Sequence, residues 1–426
     1  MVRLLVNIGL AVIPFISMYG FDSRFPKEVL ALFLCLAIGL SAIYTGQIKQ
    51  FQNKWILFFV GFLFLSAYLA PKFAGQYQII LADVISQKAT MLELGPLGIS
   101  VLWVYKTILY AIVYMLGICG IASFPYIHAH RRQALNVMMW VGYIMALYIY
   151  VQKVGLDQFF FISTKDPVTE PGLVGTLGNS TIVSPFIAIN IPFALWLGGK
   201  RNLAFAAIMA GAVILTKSMV AIFSMAVGLS FFVLAQMTKV YGRGILLILV
   251  AFLGLAGFGV VGDWKKDGPI KEFILKNDNG RVSQWVEIHK KWMTPPDKGS
   301  PKIYTMTGYG PGAYEYIYPL ESKSPYRQAH NDYFQSTFDL GIIGELLILC
   351  VIVPLIGTAV WLMPEEPMLI ALTSSLVILL VNSFGTFLLQ LGPFQYWGMV
   401  IAGFMYGIIR QIKDKGVCHA GRNASI

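Results

Sequence analysis

Long apolar runs, broken by short polar stretches, set the rhythm of this chain. A helix needs roughly 20 predominantly apolar residues to cross a bilayer. About twelve segments approach that template: 4–20, 28–45, 55–70, 101–124, 135–154, 181–198, 202–216, 218–236, 244–261, 334–362, 366–388 and 393–411. The breaks at 199–201 and near Lys217 are the shortest. Residues 71–100 are mildly apolar but hold Pro71, Asp83, Glu93 and Pro96, so they read as a loop or as a re-entrant or interfacial piece. One stretch, 262–333, is both large and polar. The pattern predicts an all-α polytopic membrane protein in three parts. These are transmembrane helices over 1–261, a large extramembrane loop with short helices over 262–333, and the last three spans with a polar tail over 334–426.

Composition agrees with this reading. The 426 residues are 57% hydrophobic and 12% charged, and mean hydropathy is +0.68; a soluble chain would hold about 25% charged residues. The net charge of +11 raises nucleic acid as a partner, but its distribution argues against that. Basic residues of the short loops concentrate on one side, among them Arg131, Arg132, Lys200, Arg201, Lys239 and Arg243, which is the pattern of cytoplasmic loops. Both termini are then cytoplasmic. Arg24, Lys27, Lys153 and Lys217 fall outside, with the long loop. No basic-aromatic nucleic-acid module is present. Cys35, Cys119, Cys350 and Cys418 lack metal-site spacing and imply no disulfide framework. The opening "MVRLLVNIGLAVIPFISMYG" has no clear small-x-small cleavage site and is expected to stay as a first helix.

Candidate chemistry concentrates in 262–333. Asp278 or Asn279 is placed to cap a helix starting near residue 280. From there Arg281, Trp285, Ile288 and Trp292 fall on one helical stripe. Two tryptophans suit a membrane interface, and Arg281 would share their depth, where lipid phosphates lie. The plainer reading is that Arg281 caps a solvated helix or snorkels. Next, "GYGPGAYEY" alternates Gly308, Gly310 and Gly312 with bulkier residues. Tyr309 and Tyr314 offer flat faces suited to sugar rings; the plainer reading is a tight turn with interfacial tyrosines. "YRQAHNDYF" follows. Asn331 or Asp332 is placed to cap a helix beginning near Tyr333. His330 sits just ahead of it, in one loop with Arg281 and Arg327. Histidine exchanges protons near neutral pH. Asp339 and Glu345, further along the apolar run, are costly there and point to a function or a partner.

Taken in order, "GRVSQWVEI", "GYGPGAY" and "AHNDYFQSTFDLGIIGELL" resemble the O-antigen ligase and polymerase superfamily of bacterial membrane glycosyltransferases. The shared elements are Arg281–Trp285, Gly308–Gly312, His330–Asn331 and Asp339–Gly341. "VGTLGNSTIVSPF" resembles that family's Gly-Asn element, at Asn179. The resemblance implies a GT-C-like fold of about 12 transmembrane helices in the bacterial inner membrane, with the large loop in the periplasm. It implies transfer of a glycan from undecaprenyl diphosphate to an acceptor hydroxyl, inverting and independent of metal, with no cofactor. Arg281 and His330 would be catalytic. Arg281, Lys217 and Arg327 would hold the diphosphate, and Asn179, Tyr309, Tyr314 and Asn331 would contact substrate. Partners would be the lipid-linked donor, lipid A-core or another hydroxyl acceptor, and membrane lipid, with no nucleic acid.

Two departures stand out. Ser180 and Thr181 follow Asn179 where the family often has Asn and Pro. In "LTKSMVAIF", Met219 stands where the family commonly has an arginine. Lys217 is left to supply that charge, as a point charge rather than a bidentate fork, or the diphosphate is held differently. O-antigen ligation to lipid A-core is the leading expectation. Polysaccharide polymerisation and protein O-glycosylation are the alternatives within the superfamily, and a transporter or lipid-linked glycan flippase is the alternative outside it.

Overall fold

A computed structural model describes residues 2–15, 24–45, 61–62, 109, 112–122, 128–156, 173, 175–177, 179–241, 284–286, 303–310, 314 and 329–423. Almost all of these are helical, and no strand occurs among them. The principal helices are α1 (Val2–Val12), α2 (Arg24–Tyr44), α3 (His128–Lys153), α4 (Ser180–Ala188), α5 (Ile191–Leu197), α6 (Gly199–Leu215), α7 (Met219–Tyr241), α8 (Asp332–Leu362), α9 (Met368–Asn382) and α10 (Gly392–Asn423).

Among the described residues, four helical segments are long and apolar enough to cross a membrane: His130–Lys153, Ser180–Leu197, Met219–Met237 and Asp332–Leu362. Val2–Phe15, Val29–Tyr44, Ile112–Ala122 and Met368–Asn382 are apolar but shorter. The expected span at 244–261 and the segment 71–100 lie outside the described residues, as do most of 55–70 and part of 101–124.

Three helices depart in detail from the pattern-based reading. The expected span at 181–198 is broken between α4 and α5 at Ile189 and Asn190. Pro192 has no N–H to donate back to Ala188, so the hydrogen-bond ladder lapses there while the backbone at Ile189 and Asn190 stays in the right-handed helical region. The expected span at 202–216 begins earlier, at Gly199, and its 17 residues reach only about 25 Å. The expected helix at 334–362 begins at Asp332 and is kinked at Gly341, whose φ is 66° and ψ −171°.

The chain forms two compact units. One comprises Met1–Gln52, Val113–Leu247 and Pro354–Ile426; the other comprises Asn53–Ile112 and Ile248–Val353. These units interleave chain segments, whereas the three parts read from the sequence are contiguous.

Polar side chains stitch the helices of the first unit together. Asn382 Nδ2 donates to Ser224 Oγ at 3.0 Å, and Thr386 Oγ1 donates to Asn382 Oδ1 at 2.9 Å, where α9 packs along α7. At the α4–α5 break, Asn190 Nδ2 donates to Phe186 O at 2.7 Å, and Trp397 Nε1 donates to Asn190 Oδ1 at 3.1 Å. The Phe186 and Trp397 rings pack beside this pair, with centroids 4.8 Å apart. Away from water, a polar group must find its partner inside the protein. Asn190 is fully buried, and these bonds are what make its burial tolerable.

Candidate functional site

In the second unit the site begins with a helix end. The first N–H groups of a helix have no partner within it. Asn331 Oδ1 supplies one, accepting from Tyr333 N at 3.0 Å and Phe334 N at 3.1 Å. Of the two candidate caps, Asn331 makes these bonds. Gln335 answers in reverse: its Oε1 accepts from Ala329 N at 3.2 Å. Trp285 Nε1 donates to Ala329 O at 2.7 Å, and the Trp285 ring stacks on Phe334 with centroids 5.9 Å apart. Both backbone polar groups of Ala329 are therefore held, and Asn331 is fixed on the other side.

His330 lies between these two anchors and takes φ 51°. A left-handed backbone at a non-glycine residue costs about 1 kcal/mol or more. The surrounding bonds hold His330 there. Its side chain is half-buried, whereas Asn331 is only 2% exposed.

One level below, the glycine-tyrosine turn closes onto the kink of α8. Non-helical Gly341 interrupts the i→i−4 ladder, and the carbonyls of the turn before it need donors. Tyr309 N donates to Phe338 O at 3.0 Å, and Gly310 N donates to Asp339 O at 2.9 Å. Gly308 has φ 72°, and a Cβ there would strike the backbone of Asp339 and Leu340. A Cβ on Gly341 would strike the backbone of Met306 and Gly308. The two glycines permit one backbone-on-backbone contact.

Asp339 then clasps the chain beyond the turn, with its Oδ1 accepting from Tyr314 N at 2.7 Å. Gln284 Nε2 donates to Tyr314 Oη at 3.0 Å. Across the kink, the Ser336 hydroxyl donates to Glu345 Oε1. Asp339 and Glu345 thus both have protein partners, which answers the cost of their apolar setting.

Tyr309 and Tyr314 are buried, at 6% and 0% exposure. Tyr309 stacks on Phe338 at 4.5 Å, and Tyr314 meets the same ring edge-on at 5.6 Å. Their faces pack on protein, so in this structure they support the turn rather than offering a platform for sugar. Trp285 belongs to a helical turn, 284–286. Arg281 and Arg327 lie outside the described residues.

The kink also sets depth along α8. Ile342–Leu362 is a run of 21 residues with Glu345 as its one charge; it measures about 31 Å, the thickness of a hydrocarbon core. His330, Asn331 and the first helical segment up to Leu340 precede that run.

The first unit holds the other two sequence-derived residues. Asn179 is the exposed N-cap of α4, and its Oδ1 accepts from Thr181 N and Thr181 Oγ1, each at 2.8 Å. Lys217 is exposed in the turn between α6 and α7, with φ 57°. Its N–H donates to Ile214 O at 3.1 Å, closing the end of α6.

The sequence reading missed Lys27. It entered only as an outer-loop charge, yet its side chain is 3% exposed and its Nζ donates to Thr176 O at 2.7 Å. Burial lowers its pKa from 10.5 to about 8. Its place directly ahead of the apolar run Val29–Tyr44 gave no sign of burial. Thr176, three residues before Asn179, was the available clue, because short polar turns next to a cap need their own anchors.

No protein-family model matches this chain, and neither does any curated protein.

Proposed function

We propose that the chain is a membrane glycosyltransferase that moves a glycan from undecaprenyl diphosphate to an acceptor hydroxyl. The observation that carries the reading is the strained, doubly anchored backbone at His330. Strain of this kind persists where the surroundings over-determine it, and it clusters at functional sites. The resemblance of the 281–345 motifs to the O-antigen ligase superfamily gives the reaction class.

The acceptor oxygen attacks the anomeric carbon and its proton passes to the His330 imidazole. The bond from that carbon to the diphosphate oxygen breaks, and the lipid diphosphate leaves with the electron pair. Arg281 stabilises the charge that grows on the departing oxygen, with Arg327 as a second cation of the same loop. The family resemblance adds Lys217 and Asn179 as candidate donor contacts. Direct displacement inverts the anomeric centre. Ligation to lipid A-core in the bacterial inner membrane is the preferred form, and polymerisation of lipid-linked repeats is the alternative, favoured by Met219 in place of the family's arginine.

One observation favours a different class. The break at Ile189–Asn190 within a membrane-length segment is a feature of transporters, whose interrupted helices bind cargo. Here Asn190 bonds to Phe186 and Trp397, so its polar atoms are engaged in packing.

The test is reconstitution of the full chain in liposomes with lipid-linked donor and hydroxyl acceptor, comparing His330→Ala and Arg281→Ala with the unaltered protein. Loss of transfer in both, at equal folded protein, supports the assignment. Normal turnover in both removes it. Gradient-driven uptake without transfer would favour the transporter.

A further inference from the structure

We propose that Lys27 is a positioning residue that fixes the Asn179 turn for contact with the lipid-linked donor. This rests on the glycosyltransferase reading above. Lys27 lies in α2 just ahead of the apolar run Val29–Tyr44. A lysine at such a place ordinarily extends its ammonium to water. Lys27 instead turns inward and is 3% exposed. An ammonium carries three donors. One meets Thr176 O at 2.7 Å, and no carboxylate pairs with it among the described residues. A buried charge with so little compensation costs several kcal/mol. Methionine would fill a similar volume without that cost, so packing alone does not account for lysine here.

What the ammonium holds is specific. Thr176 lies in the short turn Gly175–Leu177, all three residues of which are buried. Its carbonyl accepts from Lys27 of α2. Its hydroxyl donates to Pro14 O at 2.9 Å, after α1. Gly175 N donates to Gln152 Oε1 at 2.9 Å, near the end of α3. Three separate elements grip one turn. Asn179 stands two positions after Leu177, with its Oδ1 committed to the α4 cap and its side chain exposed. Its Nδ2 donates to no described residue, so the amide N–H groups are available to a sugar hydroxyl or phosphate oxygen. The turn is tied to α2 through Lys27 alone among the hydrogen bonds of the described residues, and a turn held this way limits where the chain can enter the α4 cap at Asn179.

Lys27→Met and Lys27→Arg in the full reconstituted chain test this, read by amide hydrogen exchange across 173–183 and by donor kinetics. Loss of a charge-assisted bond is worth roughly tenfold. In Lys27→Met the amides of the turn should exchange about tenfold faster, and KM for lipid-linked donor should rise about tenfold. The kcat should stay within about threefold, the mark of lost ground-state binding. The melting temperature should hold or rise, because a buried charge has gone, and Lys27→Arg should restore KM. Unchanged exchange overturns the strap. Faster exchange with unchanged KM overturns the positioning role. A fall in kcat and melting temperature together, without rescue by arginine, shows a merely structural residue and overturns it as well. Absence of transfer by the unaltered protein contradicts the glycosyltransferase reading, and the positioning role with it, while the exchange data still decide whether Lys27 holds the turn.

Discussion

Lys217 and His330 share one backbone trait: they are the two non-glycine residues with left-handed φ among the described residues, at 57° and 51°. Each is followed by the residue that opens the next helix. Ser218 O accepts from Ile222 N at 2.9 Å, and Asn331 O accepts from Gln335 N at 3.1 Å. Glycine is the ordinary occupant of such a position. A cationic side chain and an imidazole stand there instead, each displayed from the rigid entrance of a helix.

Strain and activity should separate at His330. His330→Gly relieves the left-handed backbone and should raise stability by about 1 kcal/mol. The same change should lower transfer by roughly 100-fold or more, the usual contribution of a positioned general base. Melting curves and turnover on one preparation check both. A stable His330→Gly protein with full activity would reduce His330 to a loop residue.

The Asn331 cap should matter through its side-chain oxygen. Asn331→Ala loses the bonds to Tyr333 and Phe334 and should cost about 1 kcal/mol. Asn331→Asp keeps an acceptor and should be near neutral. Chemical denaturation in detergent distinguishes the pair. Equal losses would point to packing as the role of Asn331.

Much of this region can be read from the sequence, and the reason is local. Asn331 precedes a long apolar run, and a capping side chain answers a need created by the very next residues. The kink at Gly341 is not readable in the same way. A glycine within an apolar run leaves the helical pattern intact, and what requires it is the backbone of Met306 and Gly308, far away in sequence. Tyr309 and Tyr314 show the same limit. A tyrosine rich in contacts looks identical in sequence whether its face meets sugar or Phe338. Lys27 is the extreme case, because its partner Thr176 lies 149 residues away. The Asn190 break was hidden because the run around it is continuously apolar, although Pro192 marked it.

The contact between Gly308 and Gly341 should tolerate no side chain. Gly308→Ala and Gly341→Ala each drive a Cβ into backbone that has no freedom to yield. Each should cost about 3 kcal/mol or more and sharply lower the yield of folded protein. Size-exclusion profiles after extraction report this. A normal profile and melting point for either variant would contradict the described turn.

Stability should depend on alkaline pH through Lys27. Its folded pKa is about 8 against 10.5 in an ordinary setting. Between those values the unfolded chain binds the proton and the folded chain does not, so stability should rise with pH across that window. The gain is about 3 kcal/mol in full, and it is absent below about pH 8. The neutral amine still donates, so the bond to Thr176 survives the titration. Lys27→Met should flatten the dependence. An equally steep rise in that variant would assign the effect to another group.

The most direct test of the central claim is product stoichiometry. The reconstituted chain is incubated with undecaprenyl-diphosphate-linked glycan and an acceptor hydroxyl, and both products are followed by mass spectrometry. Glycan transfer through His330 predicts one undecaprenyl diphosphate released for each glycan joined to acceptor, with both falling together in His330→Ala. Transfer that continues unchanged in His330→Ala, or no coupled release from the unaltered protein, would contradict it.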